Sequence, residues 1–497
     1  MKFLVFSFGL LAGIFIVIFP ALAQQNFTLL QSGDYKEVDE KIEYQPGAII
    51  SGHYKAYYTT RRTSPAKTAD SIDTMGQEIE LQFRSLLNQN VSVNATVQNL
   101  STDFGDQRSG YDSDDPNESG DSSQDTGFYL EFQEAYLEYN HNPTVILRLG
   151  LQSIDIGNEK GFIYKGEATG ITQDCKIGSW CYFIGGVRLD KKGDDTVYWA
   201  QLDYPVYDNG VVVNDIWNDT EGRPESSLNV EIFRVPYHGS DIPLAAYGGR
   251  TGNNSSYHRD NSADSIPVYF DNTKLEYSGL NIRWNYYQWM LNFDLITLTG
   301  DRDYHTGTSA QGNVASVAER HVSGEMAFLE LDYNLDEEWQ VGIDILKSSG
   351  TEQASLTEKY WEKDSEAYFE IQKGQHGNAQ IYFNGLYNRG DGHSVSNLEY
   401  QTFNILYRDQ RRTLAVDIAY HDFKRSQPVF NQAGEAVQQI GKEIDFLVRW
   451  NMEKSLSFQI SMATFQPKEA YVQNDNFVPT GDNKDIWAIG LDTYYHF

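Results

Sequence analysis

Charged and amide side chains alternate with apolar side chains in many segments of this chain. Asp294 lies between Phe293 and Leu295, and Asp344 lies in the same kind of apolar setting. Successive side chains of a β-strand point to opposite faces, so this spacing predicts strands with one polar and one apolar face. If such strands close around water, carboxylates and guanidinium groups line the interior. The chemistry that the pattern predicts is electrostatic contact with small polar solutes.

The side chains that we expect to line this interior fall on the polar faces of the predicted strands. They are Arg84, Arg148, Gln152, Arg188, Arg283, Asp294, Glu330 and Asp344. Over all the predicted polar faces, acidic positions outnumber basic ones. A pore with such a lining favours cations. The alternative is that many of these charges pair within the wall and set no preference.

The elements that carry these side chains are predicted to be hairpins. Segment 444–450 has period-two alternation, and after a turn at 451–454 the alternation resumes over 456–462. The same period occurs in segments 79–84, 91–98, 289–295 and 339–345. A soluble β-sandwich also alternates, so the period alone leaves both a sandwich and a membrane barrel open.

The connections between the strands favour the barrel. We predict short links near 88–90, 140–143, 192–195, 285–288, 335–338, 374–377, 409–411 and 451–454. Long polar segments fall at 101–127, 155–183, 300–322 and 466–484. Short turns at one end and long loops at the other are typical of outer-membrane barrels, which also carry aromatic girdles. Tyr139, Trp289, Trp339 and Trp450 lie near predicted strand ends, as such girdles require.

Both ends of the chain carry signals of export. An apolar run follows Lys2 and leads to Pro20 and the small-residue site Ala21–Ala23, which predicts a signal peptide over residues 1–23. The last segment alternates up to Phe497. This ending resembles the C-terminal signature of bacterial outer-membrane proteins, which the barrel assembly machinery reads. Phe497 is therefore our candidate assembly signal, and the bacterial outer membrane is the expected location.

The strand candidates lead us to expect an all-β fold, a transmembrane antiparallel up-and-down β-barrel of about 18 strands, with 16 to 20 compatible. We assign residues 24–46 to a short periplasmic N-terminal segment and residues 47–497 to the barrel. The N-terminal segment is too short for a folded plug. We therefore expect a loop to narrow the pore, with 155–183 as the first candidate.

The composition excludes several classes of protein. The chain of 497 residues has 39 Lys and Arg against 70 Asp and Glu, a formal net charge of −31, which repels nucleic acid. It has two cysteines, too few for a zinc ribbon or a disulfide scaffold. In an oxidising compartment Cys175 and Cys181 are predicted to form a disulfide, and two free thiols are the alternative.

Two further patterns give weaker indications of a binding or catalytic site. Acidic residues crowd the loop at 103–125, where we expect no cofactor, although hard oxygen ligands at this density could bind Ca²⁺. A solvated acidic loop is the alternative reading. His421 stands next to Asp422, but no Gly-x-Ser-x-Gly motif accompanies the pair, so we expect no enzymatic activity.

One strand suggests a family. Segment 144–154 reads TVILRLGLQSI, with Arg148, Gly150 and Gln152, and a Gly-Gly-Val-Arg-Leu segment follows at 185–189. This pattern resembles the alginate-export type of outer-membrane barrel. The resemblance implies an 18-stranded channel for hydrophilic solutes, often saccharides.

We therefore expect an outer-membrane channel of the alginate-export or porin type that passes saccharides or small ions. A general cation-preferring diffusion porin is the alternative, and a non-conducting adhesin, a structural barrel or an outer-membrane hydrolase are further alternatives. The expected partners are outer-membrane lipid and lipopolysaccharide, the barrel assembly machinery and a hydrophilic solute, but not nucleic acid.

Overall fold

Period-two alternation produces long strands throughout the part of the chain that the structure describes. The structure is a computed structural model that describes residues 48–62, 72–101, 130–142, 144–157, 161–177, 180–189, 195–209, 226–239, 268–308, 313–351, 364, 366–368, 371, 379–382, 395–430, 434–453, 455–473, 476–477 and 485–496. Over these residues, no helix is long and apolar enough to cross a membrane.

The strands follow one another along the chain and are numbered in that order. They are β1 (Ala48–Arg62), β2 (Ile72–Leu86), β3 (Val91–Ser101), β4 (Leu130–Asn142), β5 (Val145–Ile156), β6 (Tyr164–Ile177), β7 (Trp180–Arg188), β8 (Thr196–Asn209), β9 (Ser226–Gly239), β10 (Val268–Tyr286), β11 (Trp289–Thr308), β12 (Asn313–Asn334), β13 (Trp339–Ser348), β14 (Leu398–Arg408), β15 (Leu414–Phe430), β16 (Ala436–Glu453), β17 (Leu456–Pro467), β18 (Val472–Gln473), β19 (Asn476–Phe477) and β20 (Ile486–His496).

These strands close into a barrel. One sheet contains 18 of them, each paired antiparallel with its neighbours, and β1 pairs with both β2 and β20. The short strands β18 and β19 form a separate hairpin between β17 and β20. Closure removes both free edges of the sheet. The predicted all-β, antiparallel up-and-down barrel of about 18 strands is confirmed.

The two faces of the wall differ as the alternation predicts. On β13 the side chains of Ile343 and Ile345 are exposed on the outer surface, whereas Asp344 between them is buried. Aromatic pairs lie near one rim of the outer surface, with ring centroids 4.5 Å apart for Trp289 and Tyr333 and 4.8 Å apart for Trp339 and Tyr407. Rings at this height form the girdle that marks a membrane interface.

The connections confirm part of the predicted pattern. Short turns follow β2, β4, β10, β12, β14 and β16, at the end of the barrel where β1 begins and β20 ends. Two predictions were wrong. The connection between β7 and β8, predicted as a short turn at 192–195, lies at the opposite end, and most of 300–322 extends β11 and β12. The predicted link at 374–377 lies outside the described residues.

The expected loop at 155–183 is also wrong in most of its length. Tyr164–Ile177 forms β6, which pairs with β5 from Tyr164 to Cys175 and with β7 from Thr169 to Ile177. The glycines and polar residues of this segment suggest a loop from the sequence, but in the structure they pair in register with residues of β5 and β7. Only the connection at 157–163 remains between β5 and β6.

The predicted disulfide is absent from the structure, where Cys175 and Cys181 are free thiols. Cys175 on β6 pairs with Tyr182, whereas Cys181 on β7 pairs with Lys176. Because the two positions are offset by one residue, their side chains point to opposite faces of the wall. A disulfide would require both to share a face.

Several predictions lie outside the described residues. The signal peptide at 1–23, the segment at 24–46, the acidic loop at 103–125 with its candidate Ca²⁺ ligands, and Phe497 belong to this group. They stay predictions.

Gly150 on β5 provides a test of the wall geometry. Its φ is +138°, and a Cβ at this position would meet the Ala135 carbonyl oxygen and lie 2.8 Å from the Cα of Tyr136. We expect Gly150→Ala to destabilise the barrel by about 1–3 kcal/mol. Urea titration of the refolded protein in vesicles measures this change. Ser153→Ala, at an exposed position on the same strand, is the control, and equal stability of both variants would contradict the strained geometry.

Candidate functional site

A row of polar side chains crosses the inner wall of the barrel. The register places these residues opposite one another on the neighbouring strands β10 to β16, and we call them the lumen row: Arg283, Asn292, Glu330, Asp344, Thr402, His421 and Glu443. Three of the predicted pore-lining residues, Arg283, Glu330 and Asp344, fall on it. The structure therefore brings these three residues together on one row, and their role in lining the pore stays a prediction.

A second acidic group lies beside the lumen row on β8 to β11. Asp203 pairs with Glu231, and Asn281 pairs with both Glu231 and Asp294. Asn281 Nδ2 donates to Asp294 Oδ1 at 2.8 Å, and Arg283 Nε donates to Asn281 Oδ1 at 3.0 Å. Asp294 is fully buried in this network, as predicted for an inward position. A terminal nitrogen of Arg283 also approaches Glu231 Oε2 at 3.8 Å.

The opposite wall carries arginines whose charges are compensated. Arg148 on β5 donates through Nε to Glu138 at 3.0 Å and through one terminal nitrogen to Asp174 at 2.7 Å. Arg84 on β2 approaches the same Glu138 at 3.5 Å. Two carboxylates thus face two guanidinium groups, so this part of the wall has no net charge from these four side chains.

Gln152 also faces the interior, but within a tight local network. It is buried, its Nε2 donates to the Gly170 carbonyl oxygen at 3.3 Å, and its Oε1 accepts a hydrogen bond from Thr172 at 2.7 Å. These contacts tie β5 to β6. Gln152 is therefore part of the wall structure.

The prediction that Arg188 lines the pore is wrong. Arg188 pairs with Thr169 on one side and Thr196 on the other, two residues beyond Gly186, which pairs with Ile171 and Tyr198. Ile171 and Tyr198 are exposed on the outer surface. Since side chains two residues apart share a face, Arg188 also points outward. The sequence Gly185-Gly186-Val187 has no alternation that could indicate this face.

Above the lumen row, apolar side chains fill part of the interior. Two connections meet there: the hydroxyl of Tyr368, in 349–397, donates to the carbonyl oxygen of Phe162 at 2.7 Å, and Ile371 N donates to the carbonyl oxygen of Ile163 at 2.7 Å. The rings of Phe162 and Phe328 lie 5.2 Å apart. All these side chains are buried. Described parts of the connection between β13 and β14, together with Phe162 and Ile163, thus fill part of the interior, while the narrowing of the pore by a loop stays a prediction.

A second part of the connection 349–397 packs against β15 to β17. The ring of Tyr382 stacks on Phe423 at 4.2 Å and lies 6.0 Å from Phe465. Together with the Tyr368 contacts, these rings belong to a buried apolar cluster, whose described aromatic members are Phe162, Tyr164, Trp199, Phe233, Tyr237, Tyr277, Phe328, Tyr368, Tyr382, Tyr400, Phe423, Phe465 and Tyr471. The cluster anchors the described parts of the connection inside the barrel.

Two buried carboxylates hold the turn at 379–382. Glu443 accepts hydrogen bonds from the backbone nitrogens of Ile381 at 2.6 Å and Tyr382 at 3.0 Å. Asp445 accepts one from the backbone nitrogen of Gln380 at 3.0 Å. Burying a carboxylate is costly unless donors replace water, and these backbone N–H groups do so. We call Glu443 and Asp445 the carboxylate latch.

His421 supports the latch from the next strand. Its Nε2 lies 3.2 Å from Asp445 Oδ2, and its Nδ1 lies 2.7 Å from Thr402 Oγ1. These partners fit a tautomer with the proton on Nε2, donated to Asp445, and with Nδ1 accepting from the hydroxyl. Asp422, next to His421 in sequence, points to the opposite face of β15.

The series Thr402, His421 and Asp445 has the connectivity of a nucleophile, a base and an acid. The Thr402 side chain is 3% exposed and His421 is 1% exposed. A nucleophile needs open space for a substrate within about 3 Å. The arrangement therefore acts as a structural support for the latch.

Sequence reasoning missed the latch and the cluster. Glu443 stands one residue before the alternating segment 444–450 and continues its period, which was a usable signal for its inward position. Its partners Ile381 and Tyr382 lie about 60 residues away along the chain, and no local pattern relates such distant segments.

The fold and these surfaces define a class. A closed barrel of 18 strands with an apolar outer band, an aromatic girdle, short turns at one end and a charged interior is the architecture of outer-membrane porins. The predicted location in the bacterial outer membrane is confirmed.

Solved structures share this fold. The chain aligns with the crystal structure of OccK9 (OpdG) from Pseudomonas aeruginosa at 11% identity and a TM-score of 0.51, over 90% of this chain and 98% of that chain. With OccAB1 from Acinetobacter baumannii the identity is 13%, the TM-score is 0.50, and the alignment covers 90% of this chain and 97% of that chain. No protein-family model and no curated protein matches the sequence.

The carboxylate latch gives a direct prediction. In the double variant Glu443→Gln, Asp445→Asn, the new glutamine keeps only one of the two acceptors that face the N–H groups of Ile381 and Tyr382, at about 1–3 kcal/mol for the group left unpaired, and the pair loses the negative charge that strengthens these hydrogen bonds. We expect the turn at 379–382 to leave the wall more often. Single-channel recording in planar bilayers should then show a larger mean conductance with more current fluctuation.

The matched control is Glu134→Gln, which removes an interior carboxylate that contacts Thr96 and the backbone of Ser153 on the opposite wall. It should leave the conductance close to that of the unmodified protein. Identical traces from the latch variant and the unmodified protein would show that the latch does not hold the constriction.

Proposed function

We propose that this protein is a passive outer-membrane channel for small hydrophilic solutes, that it prefers cations, and that the connection 349–397 narrows its lumen. The observation that carries the proposal is the lumen row with its neighbouring acidic group, placed beneath a segment that is fixed inside the barrel. A solute that crosses the barrel must pass both features.

The electrostatics of the inner wall support a preference for cations. Asp203 Oδ1, Glu231 Oε1, Asp417 Oδ1 and Asp445 Oδ1 are buried oxygens to which the described part of the chain supplies no hydrogen-bond donor. The arginines of the opposite wall, by contrast, are paired with Glu138 and Asp174. The field of the acidic wall therefore favours a cation over an anion in the lumen.

The alginate-export type receives less support from the residues that suggested it. A channel for a polyanion needs arginines that face the lumen and whose charge is not already neutralised by neighbouring carboxylates. Arg148 is held by two carboxylates, and Arg188 faces outward. A saccharide without charge remains compatible with the mixed polar lining.

Each alternative function has its own discriminating observation. A general diffusion porin would share the acidic wall but show no saturable solute, so saturation of flux separates it from a selective channel. The buried apolar cluster favours a non-conducting adhesin or structural barrel, and a sealed bilayer would support that alternative. The series Thr402, His421 and Asp445 is the only feature among the described residues that favours a hydrolase, and its burial speaks against it.

Ion selectivity tests the proposal. In planar bilayers with a potassium chloride gradient, we expect a reversal potential that indicates a preference for potassium. This preference should weaken as the salt rises, because the Debye length falls from about 10 Å at 0.1 M to about 3 Å at 1 M. Charge reversal at Asp294, Glu330 and Asp344, each to Lys, should shift the preference toward chloride.

Asp422→Asn is the matched control, because it removes a carboxylate from the outer face of β15. Its reversal potential should equal that of the unmodified protein. Chloride selectivity of the unmodified protein would overturn the proposal and would restore an anionic substrate of the alginate type.

A further inference from the structure

One oxygen atom of the carboxylate latch has no hydrogen-bond donor in the described part of the chain. Asp445 Oδ2 accepts from the backbone nitrogen of Gln380 at 3.0 Å and lies 3.2 Å from His421 Nε2. Asp445 Oδ1 is also buried, and no described group donates to it. Because a buried acceptor without a donor is costly, this oxygen must have a source of hydrogen bonding that the other contacts do not supply.

The carboxyl group of Glu443 lies next to this oxygen's side chain. Glu443 and Asp445 are two residues apart on β16 and share its inner face. The two carboxyl groups are within hydrogen-bond range of each other, and their side chains are 0% and 4% exposed. Ionised carboxylates only accept hydrogen bonds and repel each other, so two of them make such a contact only when the pair holds a proton.

The groups that surround the pair do not favour a second negative charge. Those that act most strongly on Glu443 and Asp445 are the neighbouring side chains Asp417 and His421 and the backbone N–H groups of the turn. On β17, Ala463 and Phe465 stand opposite the pair and carry no charge. The titratable groups on the elements packed around the latch are Asp344 on β13, Tyr400 on β14, Asp417 and His421 on β15, and Tyr382 in the connection.

The nearest cationic side chain on the same face of β16 is directed elsewhere. Arg449 lies four residues beyond Asp445, and its electrostatic neighbours are Asp492 and Tyr494 on β20. His421 gives no positive charge in the alkaline range, where an imidazole is neutral. Its contacts with Thr402 and Asp445 also fit the neutral ring. A second negative charge on the latch would therefore be buried without compensation.

We propose that Glu443 and Asp445 share one proton, and that loss of this proton at alkaline pH releases the turn at 379–382 from the wall. The latch is then a pH-sensitive device inside the barrel. This inference rests on the proposed function, because it describes how the lumen of a channel is regulated.

The direction of the response follows from the charges. With the proton present, the pair carries one negative charge, which the backbone N–H groups of Gln380, Ile381 and Tyr382 stabilise. Without it, two negative charges stand side by side in a buried place, and Asp445 Oδ1 again lacks a donor. Departure of the turn admits water to both carboxylates. Alkaline pH should therefore loosen the turn, and neutral pH should hold it.

Conductance as a function of pH tests the proposal. Between about pH 7.5 and about pH 9.5, ordinary His, Lys and Tyr side chains keep most of their charge state. Over this range the mean single-channel conductance of the unmodified protein should rise reversibly. Asp445→Asn should lose this response, because the amide nitrogen donates to Glu443 as the shared proton does, and the amide oxygen still accepts from Gln380 and His421.

Glu134→Gln is the matched control. It removes an interior carboxylate of the opposite wall, which contacts Thr96 and Ser153, so it should keep the pH response of the unmodified protein. Gel mobility with and without heating shows whether each variant is a folded barrel. A conductance that does not change over this pH range in the unmodified protein, or that rises equally in Asp445→Asn, would overturn the proposal.

Backbone amide exchange provides a measurement that does not depend on transport. At the alkaline end of the range, the amides of residues 380–382 should exchange about tenfold faster in the unmodified protein than in Asp445→Asn, since their hydrogen bonds to the latch are lost. At the neutral end the two rates should be similar. A bilayer that stays sealed at every pH would contradict the proposed channel alone, whereas equal exchange rates at alkaline pH would contradict the shared proton.

Discussion

The structure depends on one constraint, which is that every backbone N–H and C=O group within a membrane must find a partner in the protein. A sheet satisfies this constraint only if its first and last strands meet. Here His53–Arg62 of β1 pairs in register with Trp487–His496 of β20, and no barrel edge is left open between them. Closure in turn separates an outer face that must be apolar from an inner face that can hold charge.

The described parts of the connection 349–397 fill part of the interior. Aromatic side chains such as Tyr368 and Tyr382 are buried against strand residues, and aromatic contacts of this kind add to the gain from burying apolar surface. The latch carboxylates accept the backbone N–H groups of the same segment, which would otherwise lose their hydrogen bonds with water. Apolar packing around Tyr368 and Tyr382 and the hydrogen bonds to the latch carboxylates thus hold the described parts of this connection in one place inside the barrel.

Charge is distributed unevenly around the barrel, and this distribution gives each surface a different role. Inside, Arg148 is neutralised by Glu138 and Asp174, while the acidic groups on β8 to β16 lack an equal number of cations. Outside, apolar side chains such as Ile343 and Ile345 are exposed on the surface that faces the membrane. The closed wall separates these two environments, because each side chain of a strand points to only one face.

The sequence by itself determined the features that arise from local alternation. Asp294, Glu330 and Asp344 stand between apolar neighbours, and that pattern was enough to place them inside a barrel of about 18 strands. Only the tertiary structure decided the face of Arg188, because a glycine pair interrupts the alternation of β7 and the register with Ile171 and Tyr198 fixes the face instead. It also decided the place of Tyr382 and its contact with Glu443. Such contacts join segments that are far apart in the sequence. Because packing and hydrogen bonds between distant segments produce no periodic pattern in the sequence, local alternation cannot predict them.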